Sequence, residues 1–333
     1  MDPLIHTLYT EKIINEACKR FGISEHQLSL LDGFENFVYE YERQQKRYIL
    51  RISHSLHRSN NQTHGEIEWI NYLADHGVPA ARAVPSENGE LVEMIWADDG
   101  SHFNVVSLEK APGHPPTKED LGDELTVRVG RLVGQMNRLS KSFSPSREIY
   151  RRPDWYADLT GYGEKWLPQG NQKVLDLFNA LVADLRQAPT TPDNYGLVHQ
   201  DVHDGNYFVD ESGHITLFDF DDCVYSWFAF DIAMVVFYAM PMEGCHTPEA
   251  LEKAKRFWNH FMDGYTRENT LDKEALKNIP RFLKLREMDL YIAIHRSFKP
   301  EEMETDPFVR RYLHGRKELI EDQVPFMDIA FDI

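Results

Sequence analysis

The run His199-Gln200-Asp201-Val202-His203-Asp204-Gly205-Asn206, with Asp219-Phe220-Asp221 behind it, constrains this chain more than any other stretch. Asn206 lies five residues after Asp201, and Asp219 thirteen after Asn206. Gly196-Leu197-Val198 is a short apolar run leading into the polar loop. Tyr207-Phe208-Val209 and His214-Ile215-Thr216-Leu217-Phe218 read as short strands, and Asp210-Glu211-Ser212-Gly213 between them is turn chemistry. The local pattern is therefore loop, hairpin, loop. Asp201 sits before the hairpin and Asp219 just after it.

Those residue types suit phosphoryl transfer. One carboxylate, Asp201, accepts the proton of an attacking hydroxyl. An amide oxygen, Asn206, and a second carboxylate, Asp219, hold magnesium against a triphosphate. Taken singly, each acidic residue beside a glycine reads as an ordinary turn residue; three residue types at two fixed spacings do not. A second chemistry is a metal-dependent hydrolase in which His199, Asp201 and His203 supply alternating ligands and Asp219 closes the site. That reading leaves Asn206 without a role.

The spacing is that of a kinase catalytic loop and its metal-binding aspartate. With its His-x-Asp-x-His-x-x-Asn run, the chain resembles the aminoglycoside phosphotransferase and choline kinase family, the small-molecule branch of the kinase-like fold. Protein kinases usually carry Lys two positions after the aspartate, where this chain has His203. The resemblance is specific in the catalytic loop and diffuse elsewhere, from about Leu28 to the C-terminal helices. It implies an α+β, two-lobed, protein-kinase-like fold. Residues 1–110 would form a small antiparallel-sheet nucleotide lobe, and residues 111–333 a larger, mainly helical catalytic and substrate lobe, with the hinge near Gly113.

Upstream, Leu30 to Tyr41 reads as strand, turn, strand, with Gly33 and Asn36 as the turn residues. In the family this would be the phosphate-covering loop, although it has one glycine where such loops are usually richer. In the next strand, Arg47 to Ser53, Ile49 and Arg51 share a face by period two. The resemblance puts a phosphate-binding Lys at the position of Arg51. The substitution keeps the charge but changes reach and geometry; the plain alternative is a solvated strand residue. The partner implied for Arg51 is Glu66, with Glu68 as runner-up, on a helix marked by Ile67, Ile70 and Leu73 and stopped by Gly77 and Pro79. The resemblance further implies that backbone at Glu109 and Ala111 meets the adenine edge, and that Asp231 braces the catalytic loop, where it is otherwise a helix cap. His199, His203 and Asp221 would support the site. Trp227, Phe228, Trp258, Tyr265 and Tyr291 read as core or as pocket walls.

Composition bounds the rest. A chain of 333 residues with 42% hydrophobic content can bury one large core or two lobes. Three cysteines give neither a disulfide framework nor zinc spacing. The N-terminal apolar run is broken by His6, Glu11 and Lys12, unlike a signal peptide. No stretch reaches the roughly 18 to 20 apolar residues of a membrane helix. A cytoplasmic enzyme with no membrane partner is expected. The net charge of −18 argues against nucleic-acid binding. It suits a cationic acceptor, and equally serves solubility alone. Only eleven residues separate Asp219 from Asp231, too few for the activation segment on which a protein kinase lays its peptide.

The reading is an ATP- or GTP-dependent phosphotransferase that uses Mg2+ to phosphorylate a hydroxyl of a small molecule: an amino alcohol, aminoglycoside, sugar or homoserine-like compound. The alternative from another class is a catalytically silent, kinase-like binding or structural protein. Arg51 and the sparse glycine loop keep that alternative open.

Overall fold

The computed structural model describes residues 3–31, 33, 35–271 and 273–332. Asp32 and Phe34, within the expected turn around Gly33, lie outside the described residues. The chain divides into two compact units, one comprising residues 1–116, 142–152 and 205–221, the other residues 117–141, 153–204 and 222–333.

The first unit is built on a six-stranded antiparallel sheet. Its strands are β1 (Ser29–Leu31), β2 (Phe37–Arg43), β3 (Lys46–His54), β4 (Ala83–Val84), β5 (Glu93–Trp96) and β6 (His102–Glu109). The order is β1-β2-β3-β6-β4, with β5 also pairing β6. β3 is central: Arg51 lies opposite Val38 on one side and Val106 on the other. The pleat sends Tyr48, Leu50 and Ile52 to one face, where they bury against Ile13, Ala17 and Phe21 of the helix Glu11–Phe21. Arg51 points to the opposite face, toward the helix Asn60–Asp75, which carries Glu66.

That helix starts at Ser59, whose hydroxyl accepts from Gln62 N–H while Gln62 returns the bond to Ser59 N–H. The apolar positions read from the sequence, Ile67, Ile70 and Leu73, are buried, as is Trp69.

Residues 205–221 join this first unit through the hairpin Tyr207–Val209/Ile215–Leu217. Leu217 N–H donates to Pro79 O at 2.8 Å, and Ala81 N–H to Leu217 O at 2.8 Å. On its other strand, Val209 and His114 exchange bonds of 2.9 and 3.1 Å. Backbone pairing carries the hairpin to the sheet unit although its sequence neighbours belong elsewhere.

The second unit is mainly helical. Its longest helices are Asp123–Ser140, Pro248–Thr266 and Ile279–Ser297, with the strongly apolar Phe228–Tyr238 buried among its neighbours. Asp123–Ser140 and Pro248–Thr266 approach so closely that a Cβ on Gly130 would come within 2.0 Å of Phe261 O. One on Gly264 would come within 2.0 Å of Val127 O. Glycine at both crossings lets the backbones touch and sets Tyr265 against Asn137. Trp227, Phe228, Trp258, Tyr265 and Tyr291 are all core, the most exposed at 5%. Among the described residues, no helix is long and apolar enough to cross a membrane.

Candidate active site

In the sheet unit, Arg51 and Glu66 form a two-pronged ion pair. Arg51 Nη1 donates to Glu66 Oε1 and Nη2 to Glu66 Oε2, both at 2.7 Å. The side chains are 6% and 1% exposed, which removes the solvated-strand reading of Arg51. It also selects Glu66 over Glu68, which is drawn off to Ser146. Burial works against the guanidinium's charge. The carboxylates of Glu66 and Asp221, and more distantly Asp219, more than offset it and hold Arg51 firmly cationic. Its Nε is buried and has no hydrogen-bond partner.

Asp221 is the hub beside this pair. Its Oδ1 lies 3.9 Å from Arg51 Nη1, and its Oδ2 lies 2.6 Å from His57 Nε2 and 3.6 Å from Arg58 Nε. Its carbonyl accepts from Arg58 Nε at 3.1 Å and from Arg152 Nη2 at 2.6 Å. Burial pushes the carboxyl upward, but Arg58, the bond from His57 and Arg51 together hold it well below the ordinary carboxylate range. His57 Nε2 also lies 3.1 Å from Glu35 Oε2, in the loop between β1 and β2. That loop is thereby tied to the segment after the hairpin. Glu35, His57 and Asp221 are also the described group of three whose ligand atoms lie within 4.8 Å of one another. Three arginines already surround Asp221, so a further cation there meets charge repulsion. His199, Asp201 and His203 form no such group among the described residues.

Asp219 follows the hairpin with φ at +62°, in the left-handed region that few non-glycine residues occupy. Phe220 behind it is buried, edge-on to Trp69 at 5.4 Å. Asn206 is buried, and its carbonyl accepts Phe218 N–H at 2.9 Å, closing the hairpin base. In the β1–β2 loop, a Cβ on Gly33 would fall 2.3 Å from Asn36 O, so the single glycine is required where it stands. Asn36 Oδ1 is buried and unpartnered. Glu109 N–H donates to Arg82 O at 2.7 Å. Ala111 is buried.

In the helical unit, Asp201 is flanked by two basic side chains. His203 Nε2 lies 3.3 Å from Oδ2, and Arg286 Nη2 lies 3.5 Å from Oδ1. Burial raises its pKa; the His203 hydrogen bond and the charges of Arg286, His203 and His199 outweigh that and keep the carboxyl well below its usual value. His203 is raised in turn: burial lowers it, and the Asp201 bond and charge win. Arg286 Nη1 reaches Asp289 Oδ2 at 2.7 Å, Nη2 bonds Tyr238 Oη, and Nε has no partner. The Tyr238 ring lies 4.8 Å from that of His203.

The loop carrying Asp201 hangs on Asp231. Gln200, at φ +72°, donates its N–H to Asp231 Oδ1 at 2.9 Å. Asn137 Nδ2 donates to Oδ2 at 3.1 Å, Tyr265 Oη to Asn137 Oδ1 at 3.0 Å, and Asn269 Nδ2 to Tyr265 Oη at 2.8 Å. Asp231 is fully buried, and burial pushes its pKa up to about 6 against the bonds it accepts. His199 is buried, and its Nδ1 accepts Asp201 N–H at 3.3 Å, a bond within the loop.

Sequence reasoning missed Glu35, His57, Arg58, Arg152, Tyr238, Arg286 and Asp289. Arg286 and Asp289, three apart on the helix Ile279–Ser297, read as an ordinary charged pair on an amphipathic helix. Their sequence distance from Asp201 hid the connection.

Comparison with known proteins gives a consistent set. A family model described as "Phosphotransferase enzyme family" matches residues 27–268. Amicoumacin kinase of Bacillus subtilis (strain 168) is 36% identical over 324 residues, covering 97% of this chain and 95% of that protein. The solved structure of an amicoumacin kinase in complex with AMP-PNP, Ca2+ and Ami superposes with a TM-score of 0.91 at 33% identity, covering 99% of both chains. A microcompartment-associated aminopropanol kinase shares the fold, with a TM-score of 0.76 at 23% identity over 95% of this chain and 98% of that one.

Proposed function

The chain belongs to the phosphotransferase enzyme family and is a small-molecule kinase, and from that premise we propose that it moves the γ-phosphoryl group of ATP to a hydroxyl of an amino-bearing compound, amicoumacin being the first acceptor to test. The observation that carries the reading is the buried, bidentate Arg51–Glu66 pair. Two of the guanidinium's five N–H donors go to Glu66, which fixes its plane, and the unpartnered Nε–H is among those that remain for a phosphate oxygen. An Arg in place of the expected Lys is then a working substitution, which speaks against a silent protein.

Asp201 orients the acceptor hydroxyl and takes its proton. A carboxylate held this far into its ionised form is a weak base. It therefore serves best where the hydroxyl gives up its proton late, as in a loose phosphoryl-transfer transition state. Asn206 and Asp219 offer the hard oxygen donors that Mg2+ prefers, and the buried, unsatisfied oxygen of Asn36 and Nε of Arg51 fit a site built for a polar ligand. Bound there, the magnesium–nucleotide complex supplies the phosphoryl group and the counter-charge for it. Backbone at Glu109 and Ala111 would hold the adenine edge.

The test is magnesium-dependent ADP release over a panel of acceptors: amicoumacin, 1-amino-2-propanol, homoserine and an aminoglycoside. Acceptor-dependent turnover by the parent, absent in Asp201→Asn, is expected. No turnover on any of them returns the chain to the silent-binder reading.

A further inference from the structure

Gln200 stands immediately before Asp201, and two features of it are unfavourable. Its backbone, at φ +72°, lies in the left-handed region, which a residue with a Cβ adopts at a cost and glycine does not. Its side-chain Oε1 is buried without a hydrogen-bond partner, although buried amide oxygens are nearly always satisfied. The loop itself explains neither. The turn is held by the main chain, through Gln200 N–H on Asp231 Oδ1, and any residue but proline could make that bond. Strain and an unmet acceptor at one residue beside a reacting group point to a ligand.

We propose that Gln200 is a specificity-determining residue for the acceptor: its Oε1 accepts a hydrogen bond from an N–H or O–H donor on a carbon close to the attacked hydroxyl, as in a 1,2-amino alcohol. The inference rests on the phosphotransfer reading above. The residue type is the one the neighbourhood permits. A carboxylate at 200 would stand beside Asp201 as a like charge and raise its pKa. A lysine would compete with the acceptor for Asp201. A neutral carbonyl takes a donor without disturbing the charge balance that Arg286 and His203 impose on Asp201.

The experiment compares the parent with Gln200→Leu and Gln200→Gly in steady-state kinetics on amicoumacin and 1-amino-2-propanol. Leu keeps the size and the backbone cost and removes the oxygen. Gly removes the oxygen and relieves the backbone. In both variants the acceptor KM should rise roughly tenfold, the equivalent of one good hydrogen bond, while the ATP KM stays within about twofold. Gln200→Gly should melt at or above the parent's Tm, so a merely structural role is told apart from a contact. Should Gln200→Leu fail to fold, Gln200→Gly carries the test alone. An unchanged acceptor KM in an active variant overturns this inference and leaves the function intact. So does a fall in Tm and kcat together in Gln200→Gly. A parent inactive on every acceptor overturns both.

Discussion

Arg51 and Glu66 meet through two parallel 2.7 Å bonds, one strand residue and one helix residue, with almost no water around either. Removing one partner leaves the other as an uncompensated buried charge, which typically costs about 3–5 kcal/mol. Arg51→Ala and Glu66→Ala should each weaken ATP binding and lower Tm. The double variant should cost less than the sum, because the two act as one unit. Arg51→Lys should retain part of the activity, since charge survives and the fork does not. Calorimetric ATP titration and Tm measurement on the four variants check this, and strict additivity would break the pairing.

Asp201 is held ionised by His203 and Arg286. Asp201→Asn should preserve the fold and ATP affinity and lower kcat by roughly 10²- to 10⁴-fold, the range of a positioned base. Arg286→Met removes one of the charges that depress its pKa. Activity requires the ionised form, so it is lost as pH falls through that pKa. The acid limb of kcat/KM should therefore move to higher pH in Arg286→Met. A limb that does not move would detach Arg286 from the proposed base.

Asp231 runs the other way. Its folded pKa of about 6 exceeds that of an unfolded aspartate, so the stability it contributes is full below about pH 4 and fades as pH rises through 6. Asp221 and Asp201, depressed in the folded state, contribute stability above about pH 4 that is lost on acidification. Asp231→Asn should thus gain on the parent by roughly 2–3 kcal/mol between pH 4 and pH 7, two pKa units at 1.36 kcal/mol each. Urea unfolding of both proteins at a series of pH values gives the difference curve; a flat one rules out the raised carboxyl.

Asp219→Ala should abolish the tightening of ATP binding by Mg2+ while sparing metal-free nucleotide binding. Asn206→Ala should reduce the same increment less, since an amide oxygen carries no formal charge. Nucleotide titrations with and without Mg2+, in EDTA, measure both. Tight zinc binding dependent on His199 and His203 would instead revive the hydrolase.

The proposed catalytic run stands out in the sequence because it is local: Asp201, Asn206 and Asp219 lie at short, fixed separations around a hairpin whose turn residues are explicit. Arg51 and Glu66 were reachable through the family resemblance; periodicity put Arg51 on one face of its strand but left Glu66 and Glu68 both open. The rest depended on tertiary placement. His57 and Arg58 look like surface residues after a strand until Asp221 arrives from 164 and 163 positions away. Arg286 reads as half of a helical salt bridge until its other prong is seen on Tyr238 and Asp201. No periodicity reports which polar residue of a helix turns toward a partner distant in the chain, and nothing in the letters says that Gln200 and Asp219 are left-handed.

The buried charges of the sheet unit have a consequence for anyone selecting this protein for heat resistance. Replacing a buried ion pair with apolar residues of similar volume often gains about 1–4 kcal/mol. Positions 51 and 66, replaced together rather than singly, are therefore where a thermal screen blind to turnover would find its winners. On the function proposed above, a library sorted on melting alone would drift toward a sturdier chain without its phosphate anchor, and sorting must alternate with an activity gate to avoid it.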